Sequence, residues 1–365
     1  MRINPPASEP LQVDITDLRL NVVGGATAFS DGSSGTAAPG TLYTLRGVDL
    51  TLSGSGGSGG CGALFMSRAP IEVLPGVAIT RNVVRAMDNR AAVCVTGSAT
   101  LGPAGVTLDE VDTGSANDAI RVTPATSASS GPFVLAGNGT AGSAGVVASR
   151  VLFENVASVV LRDLEVNATG EAVTVFTDEA GLHAAQPGNL SGALTVSIVA
   201  DGAPGTRLDA TLSDLSPQTS TRLTLRSRLQ ADLTVAVTQS QVACIGSGPW
   251  LDLQAHDTSS THLSLDAVSV GACSTSNAAE LWAFNTSESC FSSVDASYAT
   301  GRNLVLRNAQ TGTVVVQQLS SATTNAATLR SALEAAGNSF AAMDDVVINL
   351  ASGSAMPGTC RRPAP

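Results

Sequence analysis

Apolar and polar residues alternate along most of this chain, and the alternation breaks repeatedly in the same way. Residues 159–167 read VVLRDLEVN: Val159 and Leu161 are apolar on alternate positions, Arg162 and Asp163 interrupt, and Leu164 and Val166 resume one step out of phase. Alternation with period two predicts a half-buried strand. Two polar residues between such runs predict a bend after which both strands still point inward. The unit returns at residues 15–20 (ITDLRL), 45–50 (LRGVDL), 265–270 (LDAVSV) and 343–348 (MDDVVI), with shorter echoes at 108–111, 153–156 and 306–309. A strand–bend–strand unit recurring from end to end predicts an all-β solenoid. A β-sandwich, which also uses many short strands, is the competing architecture. The predicted inward set is Leu18, Leu20, Val48, Leu50, Val111, Val156, Leu161, Leu164, Val166, Leu225, Val235, Val268, Val270, Leu306 and Ile348. At the bends, Asp17, Asp163 and Asp344 are short polar side chains suited to bonding a turning backbone.

Residues 1–10, with Pro5, Pro6 and Pro10, read as an irregular lead-in or N-terminal cap, residues 11–350 as the solenoid, and residues 351–365 as an irregular tail. The Gly- and Ser-rich stretches 24–40, 54–62 and 136–145 read as loops leaving one continuous body. Residues 177–191, with Asp178, Glu179, His183 and Pro187, break the strand pattern and read as an irregular insertion. Residues 325–335 (NAATLRSALEA) are rich in helix formers, place Leu329 and Leu333 on one face, and are followed by Gly337 as a stop. They predict one short helix near the C-terminus, as an insertion or part of a terminal cap.

Composition adds constraints. The formal net charge is −11, and apart from three His every basic side chain is Arg. An acidic balance argues against nucleic acid, whose backbone demands a basic surface. No apolar run is long enough to span a bilayer, and no apolar core follows Arg2 as in a signal peptide. The texture favours mature or internal sequence of a secreted protein. The six cysteines, Cys61, Cys94, Cys244, Cys273, Cys290 and Cys360, form no C-x-x-C motif, which argues against zinc. Cys61 with Cys94, and Cys273 with Cys290 or Cys244, are candidate staples between adjacent coils; paired cysteines imply an oxidising compartment.

Candidate chemistry is sparse. Asp178, Glu179 and His183 form the densest acid–histidine group. A glycosidase needs two carboxylates facing one another across the scissile bond. Neighbours on a strand point to opposite faces, so Asp178 and Glu179 would need a partner such as Asp163 or Glu165 from a neighbouring coil. Asp109, Glu110 and Asp112, and Asp344 with Asp345, could supply some calcium ligands, but neither follows an EF-hand pattern. His256 and His262 match no short metal motif, and Ser247 lacks the spacing of a nucleophile elbow. No cofactor and no metal are expected.

LRDLEV at residues 161–166 and LRGVDL at 45–50 resemble the LxNVxI-like turning unit of the right-handed parallel β-helix superfamily. That superfamily includes pectate-lyase-like enzymes, phage tailspikes, autotransporter passengers and polymorphic outer-membrane proteins. The resemblance covers the texture of residues 11–350. Gly24-Gly25-Ala26 and Phe153-Glu154-Asn155 partially match the GGA[ILV] and FxxN repeats of the bacterial surface-protein branch. The resemblance implies a right-handed parallel β-helix. Lyases of this fold resemble one another in using calcium-binding aspartates with a basic residue that abstracts a proton, and no Arg here falls beside a matching carboxylate group. The expectation is a non-catalytic extracellular or cell-surface β-solenoid, structural or adhesive, with glycans or neighbouring surface proteins as partners. The alternative is a polysaccharide lyase or glycoside hydrolase acting on an extended glycan in a groove of the solenoid, with Asp163, Glu165, Asp178, Glu179 and His183 as its candidate residues.

Overall fold

The computed structural model describes residues 1–365 apart from 33–34, 55–59, 115–117, 126–128, 243–248, 271–278, 285–286, 299–302, 310–312, 318–344, 351–353 and 358–365. Among the described residues every pairing between strands is parallel, which excludes the sandwich. One isolated antiparallel bridge joins Ala180 to Thr206. The architecture is a right-handed parallel β-solenoid. The chain divides into two compact units, Met1–Val175 with Asn189–Ser191, and Phe176–Gly188 with Gly192–Pro365.

In the first unit, one sheet runs through strands Gln12–Val23, Leu42–Ser53, Ile71–Leu74, Leu101–Leu108, Ser129–Ala136 and Val156–Arg162, and another through Phe29–Ser30, Cys61–Met66, Ala91–Gly97, Asp118–Pro124 and Arg150–Glu154. In-register pairing stacks like on like. One inward row climbs Ile15, Leu45, Val73, Val106, Phe133 and Val159 through successive coils. From Leu45 onward its members are fully buried. Each fully buried side chain of this size contributes roughly 1.5–3 kcal/mol relative to exposure. Cys61 and Cys94 are bridged across adjacent coils.

The bends fall where the polar pairs predict them. Asp17, Gly47 and Asp163 turn the chain with φ of +53°, +72° and +59°. Asp and Asn enter this left-handed region at modest cost because their side chains bond locally, and Gly enters it freely. Asn155, in the echo at 153–156, does the same at another corner (φ +52°). Asp17 has a second role. Its carboxylate accepts hydrogen bonds from the amides of Val77 (3.1 Å), Ala78 (3.0 Å) and Ile79 (2.8 Å), so a loop two coils on is clipped to the first strand.

In the second unit, one sheet runs through Gly181–Pro187, Thr206–Ser213, Asp232–Thr238, Ser260–Val270, Glu288–Tyr298, Thr313–Gln317 and Ser354–Pro357. The other contains Ser216–Leu229, Leu251–Ala255, Ala279–Phe284, Asn303–Ala309 and Asp345–Leu350. Inward rows include Ala210–Val235–Leu263 and Leu212–Val237–Leu265. Asp214, Gln239 and Ala267 make the bends.

Several expectations change. Residues 177–191 are not an irregular insertion: Gly181–Pro187 is a strand in register with Thr206–Ala210, and its inward positions are His183, Ala185 and Pro187. Two of those three are not recognisable as core residues, which hides the alternation. Residues 306–309 contain no bend and lie within the strand Asn303–Ala309. The tail holds the strand Ser354–Pro357, paired with Thr313–Val316. The expected helix at 325–335 and the bend at Asp344 lie outside the described residues. Val48, Leu50, Val111, Val156, Leu161, Leu164, Val166, Leu225, Val235 and Val268 are buried, but Leu18 and Leu20, on the first strand, are only half-buried.

Candidate functional site

A connected polar row among the described residues of the second unit lies on the outer face of the sheet containing Leu251–Ala255. Register pairs Leu223 with Leu251 and Leu225 with Leu253, both facing inward, so Thr224 with Asp252 and Arg226 with Gln254 face outward beside one another. Along the next coil, Gln254 Nε2 donates to Asp252 Oδ1 (2.9 Å), and Gln254 Oε1 lies 3.1 Å from His256 Nε2. Arg222 sits 3.7 Å from Asp252, and Arg228 3.5 Å from Asp201. The result is a line of alternating donors and acceptors running Arg222, Asp252, Gln254, His256, flanked by Arg226 and Arg228. In backbone register, Gln254 pairs with Trp282, Trp282 with Arg307 and Arg307 with Asn349.

What holds this row is a buried hydroxyl cluster at the adjoining corner. Ser227 Oγ lies 2.8 Å from Ser259 Oγ and 2.6 Å from Thr261 Oγ1. Thr261 Oγ1 donates to Gln254 O (2.9 Å), and Ser287 Oγ donates to Ala255 O (2.8 Å). Buried hydroxyls satisfied in this way fix the strand carrying Asp252 and Gln254 against its neighbour.

Electrostatics single out two groups. His256 is held below the usual histidine value, first by desolvation and then by the charges of Arg226 and Arg228. Arg226 has no hydrogen-bond partner for its buried Nε and no ion pair among the described residues. An arginine with no acidic partner among the described residues, set beside an amide and an imidazole, offers donors to an oxygen-rich ligand.

The residues singled out from sequence lie elsewhere. Asp163 is a buried bend residue that accepts from the Gly139 amide (2.7 Å) and lies 3.5 Å from Asn189 Nδ2. Glu165 accepts from Asn167 Nδ2 (2.7 Å). Both belong to the first unit, whereas Asp178, Glu179 and His183 belong to the second. Asp178 is exposed, Glu179 half-buried, and His183 buried at an inward position in register with Leu208. Glu110 and Asp112 share Arg85, with Glu110 also paired with Arg81 and Asp112 also accepting from the Val146 amide (2.9 Å), while Asp109 accepts from the Asn82 backbone amide (2.7 Å). Among the described residues no three His, Cys, Asp or Glu side chains are grouped to hold a metal ion. His262 lies 3.7 Å from Glu288 in the sheet and not beside His256.

The outer row was missed because its members are about one coil apart in sequence. The signal was available: LTLRS at 223–227, LDLQA at 251–255 and ELWAF at 280–284 superpose when their leucines are aligned.

The fold defines this chain as a parallel β-solenoid with a polar outer row on its second unit. Comparison with family models, with curated proteins and with solved structures finds no match.

Proposed function

We propose that this chain is a non-catalytic extracellular or cell-surface β-solenoid, structural or adhesive in role, whose outer row on the second unit contacts glycans or neighbouring surface proteins. The observation that carries the reading is the line Arg222–Asp252–Gln254–His256 with Arg226 alongside. Its donors and acceptors are spread along a rigid sheet, as suits hydroxyl-rich chains that bind through many weak contacts. Asp252 is engaged by Gln254 and paired with Arg222, an arrangement for holding rather than for proton transfer. The Cys61–Cys94 bridge supports an oxidising compartment.

The test is binding of the full chain to a panel of neutral and acidic polysaccharides, with each mixture assayed for new reducing ends and unsaturated products. Binding weakened by Arg226→Ala and Gln254→Ala, without turnover, is the expected result. Turnover abolished by Asp178→Ala or Glu179→Ala would replace this reading with a lyase or hydrolase.

A further inference from the structure

The first strand of the first unit, Gln12–Val23, is twelve residues long and pairs on one side only, with Leu42–Ser53. The neighbouring sheet is covered at this end: Ile3 N–H donates to Ser30 O (2.9 Å) and Ser30 N–H donates to Met1 O (3.0 Å). Nothing among the described residues covers the outer edge of Gln12–Val23. Val13, Ile15, Leu18, Leu20 and Val22 are half-buried there, while Leu45, Val48, Leu50 and Leu52 one coil on are fully buried. Val23 is 78% exposed. A long strand with an open edge is a template for another strand.

The direction of the free backbone groups follows from the bonds already made. Leu42 N–H donates to Leu11 O (3.0 Å) and Gly24 N–H donates to Ser53 O (2.9 Å). In a parallel strand alternate residues turn both backbone groups to one neighbour, and the residues between them turn to the other. Counting inward from each end, Gln12, Asp14 and Thr16 before the bend, and Arg19, Asn21 and Val23 after it, present N–H and C=O to the open edge.

We infer that this edge pairs antiparallel with the same edge of a second copy of the chain, across a two-fold axis between Thr16 and Asp17. Read backwards against itself, the sequence is self-complementary. Asp14 faces Arg19 of the second copy and Gln12 faces its Asn21, and all four residues turn their backbone groups to the edge, as the hydrogen-bonded pairs of an antiparallel ladder require. Val13 faces Leu20 and Ile15 faces Leu18, so the half-exposed apolar side chains meet their like. The charges fit as well. Asp14 lies 3.5 Å from Arg46 and Arg19 lies 3.2 Å from Asp49 within the chain, and the Asp14 and Arg19 side chains are still 61% and 72% exposed. Pairing extends these into lines of alternating sign, Asp49–Arg19 continuing into Asp14–Arg46 of the second copy. A two-fold interface has this property: one patch serves both partners.

The experiment is sedimentation velocity on the full chain over a range of concentrations and salt. A dimer that dissociates on dilution is expected. Arg19→Asp and Asp14→Arg each weaken it at least about tenfold, a loss of ~1.4 kcal/mol, and mixing the two variants, which sets opposite charges across the axis again while leaving each chain's own contacts as they were, gives a heterodimer tighter than either homodimer. Asn21→Pro removes an edge-directed amide, which an edge strand tolerates, and yields a monomer with unchanged circular dichroism and melting. A wild-type chain that is monomeric at every concentration overturns the inference. So does a dimer indifferent to Arg19→Asp and Asn21→Pro, or a mixture of Arg19→Asp and Asp14→Arg that associates no more tightly than either variant alone.

Discussion

Gly47 and Gly76 meet backbone to backbone: a methyl group added to Gly47 would lie 2.9 Å from Gly76 Cα and 2.5 Å from Ile79 O. The same contact region holds the Asp17 carboxylate, 2.8 Å from that added methyl. The clip from residues 75–79 to the first strand therefore needs glycine at both positions for space, and at Gly47 also for its φ of +72°. Gly47→Ala is expected to destabilise the first unit by about 2 kcal/mol or more, of which roughly 1–2 is left-handed strain. Gly76→Ala destabilises through the clash alone, its added methyl lying 2.7 Å from both Gly47 Cα and Ile79 O. Urea midpoints for the two variants, with hydrogen exchange at Val77, Ala78 and Ile79, measure both effects.

Two carboxylates of the first unit should titrate in opposite directions from the ordinary value of 3.8. Asp17 is held low by the amides of Ile79, Ala78 and Val77. Asp31 is raised, chiefly by burial, which outweighs its bonds from the amides of Ser67, Arg68 and Ala69. The depressed group stabilises the fold above the unfolded value, and that contribution is lost as pH falls through its folded pKa. The raised group works in reverse, with stability gained as pH falls through its folded pKa toward 3.8. Carboxyl carbon chemical shifts against pH should place Asp17 below and Asp31 above 3.8, and a reversed order would refute the assignment.

The Cys61–Cys94 bridge spans 33 residues, about one coil. Its removal by Cys61→Ser/Cys94→Ser is expected to cost about 2–4 kcal/mol, mainly through the unfolded chain. Cys290 is also disulfide-bonded. Thiol titration of the denatured, unreduced chain should find neither Cys61, Cys94 nor Cys290 free.

In the second unit, His256 and His262 are both held below 6.5, by burial first; at His262 the charges of Glu288 and Asp232 oppose the shift without cancelling it. Stability is therefore full above pH 6.5 and falls as pH drops from there through the folded pKa values, because the unfolded chain takes up protons first. Melting recorded from pH 8 to 5 should show this loss, and His262→Gln should reduce its slope.

Bends were the most legible part of the fold. A polar pair between apolar runs marks a corner where the second member can adopt positive φ, as at Asp17, Gly47 and Asp163. Asn189 and Asp214 were harder to see because the residue three places after each bend is Gly192 or Pro217, where the other units have an aliphatic residue. Ala267 makes its turn with no side-chain bonding group at all. The strand Gly181–Pro187 was illegible because buried His183 and Pro187 occupy positions where a core pattern shows aliphatic residues. The outer row was illegible for a different reason: proximity of Arg226 to Gln254 depends on register, and register depends on coil lengths that vary along the chain.

The in-register pairing of the second unit has a bearing on how such a chain changes over generations. Arg207 pairs with Asp232, and Asp232 in turn with Ser260. Excising residues 232–259 would lay the strand beginning at Ser260 directly on the strand beginning at Thr206, apolar row on apolar row: Ala210 against Leu263 and Leu212 against Leu265. Length is thus a variable open to selection independently of fold, since duplication or loss of one whole turn creates no new kind of junction.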